Sequence, residues 1–166
     1  MVILEANSYS ILNLGNCDGV NTPMLKQHEI LFQPIDIGPR TLKNRFYQVP
    51  HCTGMGYNLP KTHAAMRRVK AEGGWGAVCT EYCSISPDTD DAPYPFQTIW
   101  DDSDIKNLSM MVSGVHEYNS LAGIELLAGG SYVANMNVRR PALGAVSLQS
   151  AVEPFQSRPM DKSDIV

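Results

Sequence analysis

Along the chain, short unbroken apolar runs alternate with segments whose apolar residues recur at three- and four-residue steps, the patterns of buried strands and amphipathic helices respectively. Residues 46–50 (FYQVP) predict a short strand stopped by Pro50. Thr62, just after Pro60, predicts the cap of a helix running through Ala64, Ala65, Met66, Val69 and Ala71. Gly73 and Gly74 predict its end, since glycine takes the left-handed conformation at little cost. Residues 76–85 (GAVCTEYCSI) predict a second strand, whose apolar start suits burial in a parallel sheet. Ser103 predicts the next cap, and Ile105, Leu108, Val112 and Val115 then place one apolar stripe toward a sheet. Residues 121–127 (LAGIELL) predict a third strand, ended by Gly129 and Gly130, and residues 161–166 predict the first turn of a further helix.

Before this patterned region, residues 30–42 hold two short apolar stretches about Pro34, punctuated by Gly38 and Pro39, and predict short edge strands joined by turns. Residues 1–26 carry little periodicity and read as an extension; residues 27–166 read as one patterned region. Consecutive strand-then-helix units favour a parallel α/β sheet, either a barrel or an open doubly wound sheet. Gly54-Met55-Gly56 lacks the third glycine of a dinucleotide-binding turn, and no phosphate-loop lysine motif occurs. The expected fold is therefore a partial (β/α)8 barrel, with its first three β/α units preceded by a short β-hairpin. A whole barrel takes about 250 residues, so the 166 residues are expected to be the front piece of something longer.

A net charge of −4 leaves no cationic excess for nucleic-acid phosphates or an anionic membrane surface. No apolar run approaches the ~20 residues of a membrane-spanning helix, and no export signal is evident, so the expected location is the cytoplasm. Cys17, Cys52, Cys79 and Cys83 form no C-x-x-C pair, and reduced thiols are expected.

Function in parallel α/β folds gathers at the carboxyl ends of the strands. That rule brings Pro50-His51-Cys52, Thr80-Glu81-Tyr82-Cys83 and Glu125 to one face. A thiol placed like Cys52 serves as nucleophile, metal ligand, cofactor attachment point or plain apolar filler. His51 is an unsuitable activator, because neighbours on an extended strand point to opposite sides. Cys79 and Cys83, four apart, are expected to share a face as buried strand residues, and no zinc spacing is present. His28, His63 and His116 read as solvated, as do Arg67, Arg68 and Lys70 on the wet side of their helix. Arg139-Arg140 reads as an exposed loop pair within reach of an anionic substrate. Asp88, Asp90, Asp91, Asp101, Asp102 and Asp104 lack calcium-loop spacing and fit a solvated loop leading into a helix N-terminus.

The strings ILFQPIDIGPRTLKNRFYQVPHCTG, VKAEGGWGAVCTEYCSI and LAGIELLAGG resemble, in order, the N-terminal part of the trimethylamine dehydrogenase branch of the old yellow enzyme family. That resemblance implies a (β/α)8 barrel carrying FMN at the carboxyl ends of its strands. It implies that Cys52 forms a thioether to the flavin, that Pro50 and His51 line the flavin edge, and that Glu125 hydrogen-bonds the pyrimidine ring. Tyr82 would be an aromatic wall of the amine pocket, where a ring face attracts an alkylammonium. The implied activity is oxidation of the C–N bond of a methylated amine or N-methyl amino acid, by hydride-equivalent transfer to flavin N5. The alternatives are an old-yellow-type NAD(P)H-dependent ene-reductase and a non-catalytic barrel remnant. Leu127 and Ala128 depart from the aromatic residues usual in the branch. An iron–sulfur cluster and ADP are expected only in a C-terminal part, and a homo-oligomer only at full length. No catalytic residue is assigned within these residues, which alone are expected to be inactive, since unpaired sheet edges remain and no phosphate site is present.

Overall fold

Three parallel strands, β3 (Tyr47–Gln48), β4 (Ala77–Ser84) and β5 (Leu121–Leu127), lie side by side in that order and carry the fold. The computed structural model describes residues 25–88, 95–131, 139–150 and 154–165. The expected extension at 1–26, with Cys17, lies almost wholly outside them, as do Asp90 and Asp91. A short helix α1 (Met55–Asn58) and a longer one, α2 (Pro60–Glu72), join β3 to β4; α3 (Asp102–His116) lies between β4 and β5. Ahead of the sheet, β1 (Ile35–Ile37) and β2 (Arg40–Leu42) pair antiparallel, turning at Gly38 with φ of 56°. Ile30–Phe32, expected as a strand, instead belongs to a 3-10 helix, Lys26–Phe32. Its Phe32 meets Phe46 edge-on, and Phe46 meets Trp75 in the same way, so an aromatic chain ties this helix to the start of the sheet.

The core is the layer between sheet and helices. Ala64 and Ala71 of α2, Val78 of β4, and Met111 and Val115 of α3 are buried together, with Tyr118 and Ala122 packed against them. α2 and α3 approach closely at Gly114, where an added Cβ would lie 3.4 Å from the Arg68 Cβ. The buried stripe of α3 is Leu108, Met111, Gly114 and Val115, with Val112 packed against the core; of the expected stripe only Ile105 falls outside. Ile105 is 55% exposed, because α3 turns its inner face to α2 as well as to the sheet.

Both helix starts differ from expectation. α2 begins at Pro60, whose fixed φ suits the first turn and whose missing N–H needs no partner there; Leu59, not Thr62, occupies the cap position. α3 is capped by Asp101, not Ser103: the Asp101 carboxylate accepts from Ser103 N at 2.8 Å, while Asp104 reaches back to Asp101 N, a full capping box. Asp104 also accepts from Thr98 Oγ1 at 2.6 Å and Trp100 N at 2.8 Å, so it fastens the preceding loop to the helix.

Beyond β5, two-residue strands β6 (Leu143–Gly144) and β7 (Arg158–Pro159) pair in parallel within a region that sequence alone marks as loop. Residues 161–165 form a turn rather than a helix, with Arg158 paired to Asp164 at 2.6 Å. No helix among the described residues is long and apolar enough to cross a membrane.

Candidate active-site face

The strand β4 is out of phase with itself. Cys79 pairs with Gly123, yet Tyr82 pairs with Glu125, so three steps along β4 match two along β5, and a bulge sits at Thr80–Glu81. Side chains alternate across a strand, and one extra residue reverses the alternation beyond it. Cys79 and Tyr82 therefore share a face, and Cys83 lies on the opposite one. This corrects the expectation that Cys79 and Cys83 share a face, although both are buried as foreseen.

On the first face stand Tyr47, Cys79, Gly123, Tyr82 and Glu125. The Tyr47 hydroxyl and the Cys79 thiol are hydrogen-bonded at 2.9 Å, and that contact, with burial and the nearby Glu125 carboxylate, pushes the Tyr47 hydroxyl up to about 12. Gly123 is required beneath them: a Cβ there would lie 2.5 Å from the Cys79 sulfur. Tyr82 is half-buried and stacks on Phe96, ring centroids 5.1 Å apart at 23°. Glu125 is exposed.

Cys52 follows β3 and is exposed, with its sulfur against the backbone N–H of Tyr82. Partial burial raises its thiol above the ordinary range, the Tyr82 amide opposes this, and the carboxylates of Glu81 and Glu125 reinforce it. Cys52, Tyr82 and Glu125 thus come together. His51 is exposed and contributes its carbonyl instead, accepting from Arg67 Nη2 at 2.5 Å, while Pro50 is half-buried just before it. Arg140, far along the chain, pairs with Asp88 at 3.0 Å on the surface.

Behind the Cys52 loop lies a buried polar cluster that sequence reasoning missed. Glu81, the bulge residue, is 0% exposed; it accepts from Thr53 Oγ1, from Gly54 N at 2.8 Å and from Met55 N at 3.2 Å. Arg67 is also 0% exposed, donating to His63 Nε2 at 3.0 Å and Gln48 Oε1 at 3.3 Å besides the His51 carbonyl. His63 is 1% exposed, and its Nε2 lies 4.0 Å from Glu81 Oε1. Burial, then the Arg67 charge, lowers His63 to about 4 against the opposing pull of Glu81, so the ring is neutral at pH 7 and accepts the Arg67 proton. The expected solvated character of His63 and Arg67 is therefore overturned: they sit at i and i+4 on the helix face turned to the sheet. Arg68, next along, is exposed and pairs with Glu117 at 2.8 Å.

A model of the NADH:flavin oxidoreductase / NADH oxidase family matches residues 30–166. The chain is 50% identical over 116 residues to a dimethylamine dehydrogenase of Hyphomicrobium sp. (strain x), a match covering 70% of this chain and 16% of that protein. Histamine dehydrogenase from Rhizobium sp. 4-9 superposes with a TM-score of 0.78 at 39% identity, over 84% of this chain and 21% of that one. The 6-hydroxypseudooxynicotine amine oxidase from Pseudomonas geniculata N1 gives 0.79 at 38%, with the same coverage. An α/β partial-barrel fold fits these neighbours.

Proposed function

The chain belongs to the NADH:flavin oxidoreductase / NADH oxidase family, and from that premise we propose that it is the front part of an FMN-dependent enzyme oxidising the C–N bond of a methylated amine or N-methyl amino acid. The observation that carries this reading is the meeting of Cys52, Tyr82 and Glu125 on one side of the β3–β4–β5 sheet. Similarity to a dimethylamine dehydrogenase and a histamine dehydrogenase supports the amine class. Residues 27–166 are assigned to the first three β/α units of a (β/α)8 barrel, behind the hairpin, and 1–26 to an extension ahead of it. The family match beginning at residue 30 supports that division.

The donor set fits a flavin. An exposed thiol is free to bond an aromatic carbon edge, an exposed carboxylate on a neighbouring strand can accept from an imide N–H, and Tyr82 stands between them, with its amide on Cys52 and Glu125 as its register partner. Cys52, Pro50, His51 and Glu125 are the residues that would hold the cofactor. When bound, the flavin supplies the acceptor for a hydride equivalent from the carbon beside nitrogen. Tyr82, held flat by Phe96, offers its ring face to an alkylammonium without demanding a hydrogen-bond donor.

The test is made on the protein from its native source. Its flavin absorbance is expected to bleach on anaerobic addition of a methylated amine, and bleaching by NAD(P)H alone would overturn the amine reading. Flavin is expected to stay with the polypeptide after acid precipitation, and to be released in full from Cys52→Ala. Flavin released equally from both proteins would remove Cys52 from the attachment role.

A further inference from the structure

Cys52 sits between two buried anchors. On its C-terminal side, three consecutive donors, Thr53 Oγ1, Gly54 N and Met55 N, converge on the Glu81 carboxylate. On its N-terminal side, the His51 carbonyl accepts from Arg67. The anchors belong to different elements, β4 and α2, with His63 between them: its Nε2 accepts a hydrogen bond from Arg67 Nε and lies 4.0 Å from Glu81 Oε1. Gln48, the last residue of β3, takes a further Arg67 bond, so the path from strand to loop is held along its length. A carboxylate and a guanidinium buried this fully are costly to desolvate, and four of the six bonds they make go to His51, Thr53, Gly54 and Met55 around Cys52, the other two to His63 and Gln48. A pair serving only the core would spend all of its bonds within helix and sheet.

We infer that Glu81 and Arg67 are positioning residues for Cys52: together they clamp the His51–Met55 loop so that the thiol keeps one placement beside the Tyr82 amide. The bulge at Thr80–Glu81 makes this possible, because it turns Glu81 under the loop while leaving Tyr82 on the open face. Residues adjacent in sequence thus do separate work, Glu81 fixing the loop from behind and Tyr82 bounding the space in front. Glu81 and Arg67 do not touch the reacting atoms; they act through Cys52. The inference rests on the reading of Cys52 as the residue that meets the cofactor, but the clamp itself is measurable without one.

The experiment attaches a trifluoromethyl reporter to Cys52 with bromotrifluoroacetone in the flavin-free 166-residue chain and reads it by fluorine NMR, the Cys52 signal being the one lost in Cys52→Ala. One narrow resonance is expected. Glu81→Gln, which swaps an all-acceptor carboxylate for an amide with a single acceptor oxygen, is expected to give a second resonance holding at least about a third of the intensity. Thr53→Val, which removes a donor from the loop and leaves Glu81 in place, is expected to do the same and decides the matter if Glu81→Gln fails to fold. Met111→Ala, a core truncation on α3 that removes no hydrogen bond to the loop, is expected to lower the melting temperature and keep one resonance. A single resonance in both loop variants, or equal splitting in Met111→Ala, would overturn the clamp. A split signal in a protein that takes up no flavin would leave the clamp standing and remove only the flavin reading.

Discussion

Arg67→Met is expected to lower folding stability by roughly 3–5 kcal/mol, although it keeps the stem and much of the volume of the side chain. Arg67 is wholly buried and is the donor for three acceptors, His63 Nε2, Gln48 Oε1 and the His51 carbonyl. Methionine fills the space but satisfies none of them, and each buried acceptor left without a donor costs about 1–3 kcal/mol. The Glu81 carboxylate would also lose the positive charge that offsets it across His63. Urea denaturation of the two chains measures the difference directly. A loss below about 1 kcal/mol would mean that water or a rearranged His63 takes over the bonds, and would contradict a closed, dry cluster.

Stability is expected to fall as the solution is acidified from pH 7 to pH 5, well before most carboxylates titrate. In the folded chain His63 titrates near 4, against 6.5 as its ordinary value. Between those values the unfolded chain binds a proton that the folded chain refuses, so stability rises with pH through this window and is lost as pH falls through it. The loss reaches about 2 kcal/mol at pH 5 and roughly 3 kcal/mol once the folded pKa is passed. Comparison with His63→Gln isolates the contribution, because that variant retains an acceptor for Arg67 and has nothing to protonate. If both chains lose the same stability between pH 7 and pH 5, the buried neutral histidine is refuted.

The two long strands and the two long helices were legible because each carries a strong period over many residues, and Gly73-Gly74 marked its helix end cleanly. The meeting of Cys52, Tyr82 and Glu125 was legible too, since it follows from strand direction alone. The buried cluster was not. His63 and Arg67 fall on the inner face of α2 by spacing, but two polar residues beside a third charged one look like a wet surface unless their partners are known. Those partners are Glu81, eighteen residues beyond His63 in sequence, and a backbone carbonyl, which has no sequence signature at all. The β4 bulge was hidden for a similar reason: AVCTEYCS alternates acceptably in either phase, and only pairing with β5 reveals the extra residue. The helix caps were misplaced by two or three residues because serine and threonine beside aspartate and proline compete for the same position.

The slip in β4 has a bearing on how such a protein can change. A regular strand ties its two surfaces together, so that a shift made to suit one disturbs the other. Here the extra residue at Thr80–Glu81 uncouples them. Residues beyond it can be exchanged to suit a different small molecule while those before it, and the bulge carboxylate, go on supporting the loop. Deleting Glu81 would leave a regular strand with Tyr82 still opposite Glu125, and would remove the carboxylate that accepts from Thr53, Gly54 and Met55. Substitution at this strand end is therefore expected to be tolerated, and loss of the extra residue that carries the loop's carboxylate is not.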